Sequence, residues 1–541
     1  MSLTGLLNIG KSALSVSQTQ LAVTSHNIAN VQTPGYCRQE VIVETSSWTT
    51  ASGGPVVGQG VTVKTIKRHY DALLQQELFL TQQDYGKYTL LNQTLSGVEQ
   101  LFNEAQKLGL ARSLTDFFNA WQDVANHPEG LTERYLLLKK AEALTATAQK
   151  LEQGLNDILK NIEKGISESA EQINTLAAQI ARINGQIMRS GTQEGTLSAN
   201  NLRDQREALL AELSQLADIS IFEDPANGAV HVTLGMRTLV DGDTSRSLTA
   251  EIDETGRQTL VLNGEDITSR IAGGKLGGLL TARKEIEETV LTGLRRFVAA
   301  LINAVNLQHR EGYGLDGSTG NDFFSPLQLT VRDYSSGADL TAEITDYSRL
   351  TMEEYTVRFS GGNYYVYERT TGELKTSGVY EPSGTTINLE GMRWEISGTV
   401  SDQDSFQVSP LTTAVAGFQT ALTSAQQIAA AGSSSGVPGD NENALALADL
   451  IHQGLTVLDN QSLEDHYQYL VAQVGLKTQE ASEALTFTEN FLNHLNDRRD
   501  SVSGVSLDEE ATNLIRFQRA YQAAARLIRA TDELFQTLLN L

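Results

Sequence analysis

Cysteine is almost absent from this chain: Cys37 stands alone among 541 residues, which excludes an internal disulfide framework and leaves only a free thiol or an intermolecular bond. Positive charge is scarce as well. With 41 Lys and Arg against 66 Asp and Glu the formal net charge is -25, a balance that repels nucleic acid and anionic lipid and argues against both as partners. No uninterrupted apolar run approaches a membrane span; the best, Phe297 to Leu307, is short and broken by Asn303 and Asn306. The start, Met1-Ser2-Leu3-Thr4-Gly5, lacks the basic and strongly apolar regions of a cleaved secretory signal, which on its own reads as cytoplasmic. The eight histidines show no paired ligand spacing and Cys37 has no obvious partner in sequence, so no metal, cofactor or nucleophilic site is expected. Proline is rare too. The eight prolines leave two long tracts, Glu129 to Asp224 and Gly439 to the end, with none.

What the chain does have is a matched pair of amphipathic ends. Leu3, Leu7, Gly10, Leu14, Ser17, Leu21, Thr24 and Ile28 step by three and four, and Leu6, Ile9, Ala13, Val16, Gln20 and Val23 make a second stripe. The last segment does the same. Leu507, Ala511, Leu514, Gln518, Tyr521, Ala525, Ile528, Asp532, Phe535 and Leu539 form one seam, and Phe517, Ala520, Ala524, Leu527, Thr531, Leu534, Leu538 and Leu541 the other. Two seams on one helix mean two sets of neighbours, so each end is expected to pack on the other and on further copies of the protein. Alone, the first helix buries too little apolar surface to offset its ordering, so the ends are expected to fray in the free monomer and become helical on assembly.

Between the ends the pattern changes twice. Leu151 to Ile187 keeps helical spacing over a long coiled-coil-like stretch, a polar break follows from Ser190 to Asn201, and Leu202 to Leu216 reads as a returning helix. Val230, Val232 and Leu234 then alternate with polar residues, and Tyr355-Thr-Val-Arg-Phe359 and Tyr364-Tyr-Val-Tyr367 flank a Ser360-Gly-Gly-Asn363 turn, a hairpin signal. A central helix, Leu279 to Leu307, separates the two β stretches, and Tyr467 to Leu495 returns to helical spacing before a Ser501-Val502-Ser503-Gly504 break. The fold expected is mainly α with inserted β, an elongated multidomain subunit. Its parts are a terminal assembly domain (1–36 with 501–541), a helical bundle (37–218 with 411–500), an outer β-rich domain (219–278 with 322–410) and a joining segment (279–321).

Two stretches imitate catalytic motifs. Gly5-Leu-Leu-Asn-Ile-Gly-Lys-Ser12 fits the phosphate-loop pattern, but only four residues precede it and the helical seam runs straight through. Gly432-Ser-Ser-Ser-Gly436 fits the nucleophile-elbow pattern, but follows what reads as an alanine-rich helix and lies in a Ser/Gly/Pro stretch. Neither has the strand before it that its chemistry needs, so the chain is expected not to be an enzyme.

The informative segment is the turn after the first helix, Ser25-His-Asn-Ile-Ala-Asn30-Val-Gln-Thr-Pro-Gly-Tyr36, where Asn30 can cap the helix and Pro34-Gly35 favours a tight turn with positive φ at glycine. This string resembles the N-terminal signature of the bacterial flagellar axial proteins, the rod, hook and hook-associated family. Ser503-Gly-Val-Ser-Leu-Asp-Glu-Glu510 and Asn513-Leu-Ile-Arg-Phe-Gln-Arg-Ala-Tyr521 resemble the family's C-terminal signature. Asp204-Gln-Arg206, Leu276-Gly-Gly-Leu279 and Asn321-Asp-Phe-Phe-Ser325 agree, so the resemblance spans essentially the whole chain and is weakest from Ile219 to Pro410. Length and the Leu507 to Glu510 element favour a hook–filament junction member over a hook-like or flagellin-like one.

The resemblance implies export through the flagellar type III apparatus without cleavage, an extracellular place at the junction, and a mechanical role joining hook to filament. It implies as partners copies of the chain itself, hook protein, the second junction protein (hook-associated protein 3) and an export chaperone for the C-terminal helix. Assembly contacts are expected at Leu3, Leu7, Leu14, Leu21, Ile28, Leu514, Tyr521, Leu527, Ile528, Leu534, Phe535 and Leu538. Asn27, Asn30, Pro34, Gly35 and Tyr36 are expected to form a signature turn, which with the Ser501–Val505 hinge lets the inner helices tilt.

Overall fold

The computed structural model describes residues 3–46, 58, 60–102, 109–189, 196–402 and 404–540. Met1, Pro55, Leu541 and the first part of the break predicted from Ser190 lie outside them, as does the side chain of Leu539. The helices are α1 (Leu3–Ala29), α2 (Ala72–Leu101), α3 (Leu110–Asn126), α4 (Leu131–Arg189), α5 (Leu197–Leu216), α6 (Gly274–Lys284), α7 (Thr292–Glu311), α8 (Glu442–Asp449), α9 (Leu463–Ser503) and α10 (Leu507–Leu539), with β strands inserted between α5 and α8. The architecture is mainly α with inserted β, as expected. The chain divides into two compact units, one of residues Met1–Asn92, Ile162–Thr281 and Ala481–Leu541, the other of Gln93–Asn161 and Ala282–Glu480.

The first unit holds both chain ends. Strands β1 (Gln39–Thr45) and β2 (Val61–Arg68) pair antiparallel, with a register shift between Ile42 and Val43. Strands 219–223, 230–234, 237–241 and 244–245 form a four-stranded sheet in sequence order, and 248–252, 258–262 and 265–266 a three-stranded one. Two asparagines of α4 complete strand backbones as another strand would. Asn184 donates to the carbonyl of Val230 and accepts from its N–H (2.7 and 3.1 Å), and Asn174 does the same at Leu248 (2.8 Å each). Arg206, fully buried, donates to Asn184 Oδ1 (3.1 Å) and Gly228 O (2.6 Å) and pairs with Glu223 (3.1 Å). Arg206 thus fastens α5 to α4 and to the four-stranded sheet.

In the second unit the predicted hairpin is present: 355–360 pairs with 363–368, with Gly361 and Gly362 both at positive φ in the two-residue turn. The five-stranded sheet runs 330–333, 405–409, 355–360, 363–368, 374–379, and a three-stranded sheet runs 338–344, 392–398, 385–389. Its helical core is aromatic. Phe117 and Trp121 of α3 meet Phe323 at 5.7 and 5.3 Å between ring centroids, and Phe324 meets Phe418 at 4.7 Å. Buried His309 is neutral by construction: Nδ1 donates to Asn321 O (2.7 Å), Nε2 accepts from Ala429 N–H (3.0 Å), and burial lowers its pKa to about 4.

Two expectations are corrected. The alanine-rich stretch before Gly432 is not a helix: only Ala425–Gln427 makes a 3₁₀ turn, and Ala431 bridges Tyr313. Its backbone is claimed by side chains, Arg134 and Asn443 donating to the carbonyls of Ile428 and Ala429, while His309 accepts from Ala429 N–H. The central helix is also longer than its apolar run, continuing from Gly274 to Glu311 through a π-helical stretch at Glu285–Leu291. By length and composition it could cross a membrane. Yet 67% of its most apolar window is buried within the protein, and Asn303 and Asn306 donate to Tyr347 and Phe324 carbonyls, as in a core helix.

Candidate assembly site at the paired chain ends

Helices α1 and α10 pack on one another. Gly10 of α1 lies against Ile528 and Leu527, while Arg38, just after α1, reaches Glu509 and Glu510 at the start of α10, so the helices run antiparallel. Both helices are formed, Leu3–Ala29 and Leu507–Leu539: each supplies the other's partner, and Ser506 caps α10 by accepting from Glu509 N–H. A β-carbon at Gly10 would stand 2.9 Å from Ile528 Cγ1, so glycine is what allows this approach.

The buried centre of this region, where α1 meets α10 and the β1–β2 pair, is smaller and more polar than the leucine pattern suggests. It consists of Gly10, Val16, Ser17, Val23, Thr24 and Asn27 on α1 and of Glu510, Ala524 and Thr531 on α10. Ser17 and Thr531 donate to carbonyls of their own helices, Ala13 O (2.8 Å) and Leu527 O (2.7 Å), which removes the cost of burying a hydroxyl. Leu3, Leu7, Leu14, Leu21, Ile28, Leu514, Tyr521, Leu527, Ile528 and Phe535 flank this centre half-buried. Leu534 and Leu538 are exposed, at 52% and 57%, as are Leu507 and Ile515.

The five turn residues come together. Asn30 ends α1 by donating from Nδ2 to His26 O (2.9 Å), Thr33 N–H donates to Asn30 O (2.9 Å), and Gly35 takes φ +77°, the left-handed conformation that Pro34-Gly35 predicted. Pro34 itself is exposed. Asn27 is the keystone: its Nδ2 donates to Gln39 O (2.9 Å), and its Oδ1 accepts from Gln39 N–H (3.1 Å) and the Tyr36 hydroxyl (2.7 Å). Burial foremost, with Asp204 and Glu510 nearby, raises the Tyr36 pKa, so the hydroxyl stays a donor.

Sequence reasoning missed the second ring of residues. Gln39 Oε1 accepts from Asn200 and its Nε2 donates to Asn201, both on α5, and Asn200 also donates to Ile66 O (2.9 Å). Arg68 of β2 makes two bonds to Glu207 (2.9 and 2.8 Å), lies 2.7 Å from Asp204 and donates to Cys37 Sγ (3.4 Å). Burial pushes the Cys37 thiol up to about 11 and the Asp204 carboxyl up to about 6, the second held back by Arg68. Ligand atoms of Cys37, Asp204 and Glu207 lie within 4.8 Å of one another, but the Arg68 guanidinium already supplies the cation, so the cluster is an ion-paired bracket rather than a metal site. Helix α9 continues through Ser503, so the C-terminal break is shorter than predicted, confined to residues 504–506. Gly5 to Ser12 lies wholly inside α1.

Residues 95–324 match the family described as flagellar hook-associated protein FlgK helical domain, and 330–410 the flagellar hook-associated protein 1, D2-like domain. The ends match rod-protein families, 7–36 that of the flagella basal body rod protein and 499–541 that of the flagellar basal body rod FlgEFG protein C-terminal. Flagellar hook-associated protein 1 of Salmonella typhimurium is 32% identical over 100% of both chains. This chain belongs to the flagellar hook-associated protein 1 family. The Escherichia coli and Bacillus subtilis relatives are 29% and 26% identical, covering 100% and 99% of this chain and 100% and 97% of theirs. The fold is that of the flagellar hook junction protein FlgK from Burkholderia pseudomallei, with TM-score 0.67 and 20% identity over 79% of this chain and 100% of that one. As a family member the chain is a structural component of the bacterial flagellum, located at the hook–filament junction.

Proposed function

We propose that the paired ends, 1–36 and 501–541, are the assembly domain through which copies of this chain polymerise at the tip of the hook, and that the polymer acts as a mechanical adapter between hook and filament. The observation that carries this reading is the unequal covering of α10: Ala524 and Thr531 are buried, while Leu534 and Leu538 of the same seam are exposed at 52% and 57%. Apolar side chains repeated along a helix and left in water are stabilised by a neighbour, and a second copy presents the same surface. The reading takes as partners further copies, hook protein on one side and hook-associated protein 3 on the other, with an export chaperone covering the C-terminal helix beforehand. It takes neither nucleic acid nor membrane. It also assigns no catalysis: Lys11 belongs to a helix face, so Lys11→Ala is expected to abolish no nucleotide hydrolysis.

Deletion in the cell tests the adapter role. Intact hooks without filaments, and flagellin in the medium, are the expected result; normal filaments would refute the role, and missing hooks would move the chain to the hook or rod.

A further inference from the structure

Arg38 stands where the two ends of the chain meet. It follows the signature turn by two residues and enters β1, while its partners lie on both sides of the C-terminal break. Its backbone N–H donates to Ser503 O (2.9 Å), the last residue of α9. Its side chain forks across successive carboxylates in the first turn of α10, Nη1 to Glu509 Oε2 at 2.8 Å and Nε to Glu510 Oε1 at 3.0 Å. Its own carbonyl accepts from His69 N–H (2.8 Å), which ties the same residue to β2. The environment is graded: the Glu510 side chain is 3% exposed, Arg38 24% and Glu509 60%. Glu510 is therefore a buried charge whose compensation comes from one residue across the break.

Open space flanks the latch on both sides. A polar cavity of about 490 Å³ lies among the turn residues 30–36, the end of α9 and Gly504–Ser506, and another of about 640 Å³ among α1, β1 and the start of α10. Arg38 and Glu509 line both. With little packing at the two breaks, bonds across them decide how they move.

We propose that Arg38 is a positioning residue that couples the two breaks, so that the turn at 30–36 and the break at 504–506 open and tilt as one. Its consequence for the flagellum rests on the reading of the chain ends as the assembly domain: α1 and α10 then tilt together as a pair, instead of shearing past each other. α10 cannot change its angle to β1 without disturbing the Arg38 fork, because that fork and the Ser503 bond are anchored on opposite sides of the C-terminal break, and α1 is carried with it because it packs on α10.

The full-length protein carries its own reporter, since Cys37 is the sole thiol and is 5% exposed. Arg38→Ala is expected to raise thiol labelling, and amide exchange at both 30–36 and 503–507, on the order of tenfold together, and by more than any fall in the global unfolding midpoint accounts for. Arg38→Lys is expected to recover part of this, and Arg38→Ala combined with Glu510→Gln to add little to either change alone. Raising salt to about 1 M should speed labelling in the parent chain and leave Arg38→Ala unchanged. Should Arg38→Ala not fold, Arg38→Lys, Glu509→Gln and the salt series carry the same comparison. Faster exchange on one side of the latch only, or labelling indifferent to both salt and Arg38, overturns the proposal. Normal filaments in the deletion strain would instead refute the junction role and leave the coupling measurement standing.

Discussion

The contact between Gly10 of α1 and Ile528 of α10 gives the sharpest prediction. Replacing Gly10 by alanine in the middle of α1 gains about 1 kcal/mol of helix propensity, yet the new methyl would stand 2.9 Å from Ile528 Cγ1 and 3.6 Å from Leu527 Cδ2. Crowding of that kind costs about 1–3 kcal/mol. In the parent chain the two effects oppose, and Gly10→Ala is expected to be neutral to destabilising by about 2 kcal/mol. Ile528→Ala removes the obstructing carbon. In that background the same Gly10→Ala change meets only ordinary van der Waals contacts and should stabilise α1 by about 1 kcal/mol, a reversal of sign that gives a coupling of about 1–3 kcal/mol. Amide exchange along α1 in the full-length protein, measured for the parent, both single variants and the double variant, reads each term. Equal effects of Gly10→Ala in both backgrounds would refute the packing argued for α1 and α10.

Leu534→Asp and Leu538→Asp alter exposed positions, so each should leave the helical content and α1 protection unchanged while stopping polymerisation; filaments formed normally would refute the assembly surface. Leu527→Asp and Ile528→Asp are expected to loosen α1 in the monomer too, because both flank Gly10. His309 should make the second unit acid-sensitive: with its folded pKa lowered to about 4 from an ordinary 6.5, its contribution is complete above 6.5 and lost as pH falls toward 4, about 3 kcal/mol in all. Asp204, raised to about 6, slopes the opposite way in the first unit, so the readout is Trp121 fluorescence, 6.2 Å from His309, and His309→Gln should flatten it. An unchanged slope in His309→Gln would reject the assignment. Asn27→Ala strands Gln39 N–H and O and takes one partner from the Tyr36 hydroxyl, which should cost about 2–4 kcal/mol at the turn and raise Cys37 labelling; labelling at the parent rate would remove Asn27 from its central place.

The helices were legible because helical period and punctuation agree in this chain: α1, α4, α9 and α10 follow from three-four spacing, and the turn from Asn30 and Pro34-Gly35, whose backbone needs are local. The Gly361–Gly362 hairpin was legible for the same reason. Where the pattern misled, a distant group had intervened. The alanine-rich run before Gly432 has the composition of a helix, but His309, Arg134 and Asn443 claim its backbone from elsewhere in the second unit.

Periodicity and turn chemistry are properties of neighbours along the chain, so they were enough for α1, α4, α9 and α10, for the paired amphipathic ends and for the family, but gave no reading of α2 and α3. Tertiary structure alone decided which residues of the two seams face inward. A leucine stripe marks a face but not where it is closed from water: Gly10 lies against Leu527 and Ile528, and Ser17, Ala524 and Thr531 are buried while Leu534 and Leu538 are exposed. It likewise decided that Asn27 answers Gln39, that Arg68 gathers Cys37, Asp204 and Glu207, and that Arg38 reaches Glu509 and Glu510 across more than four hundred residues of intervening chain. Such pairs leave no periodic trace, because the polar partners are chosen by proximity in space after the helices have docked.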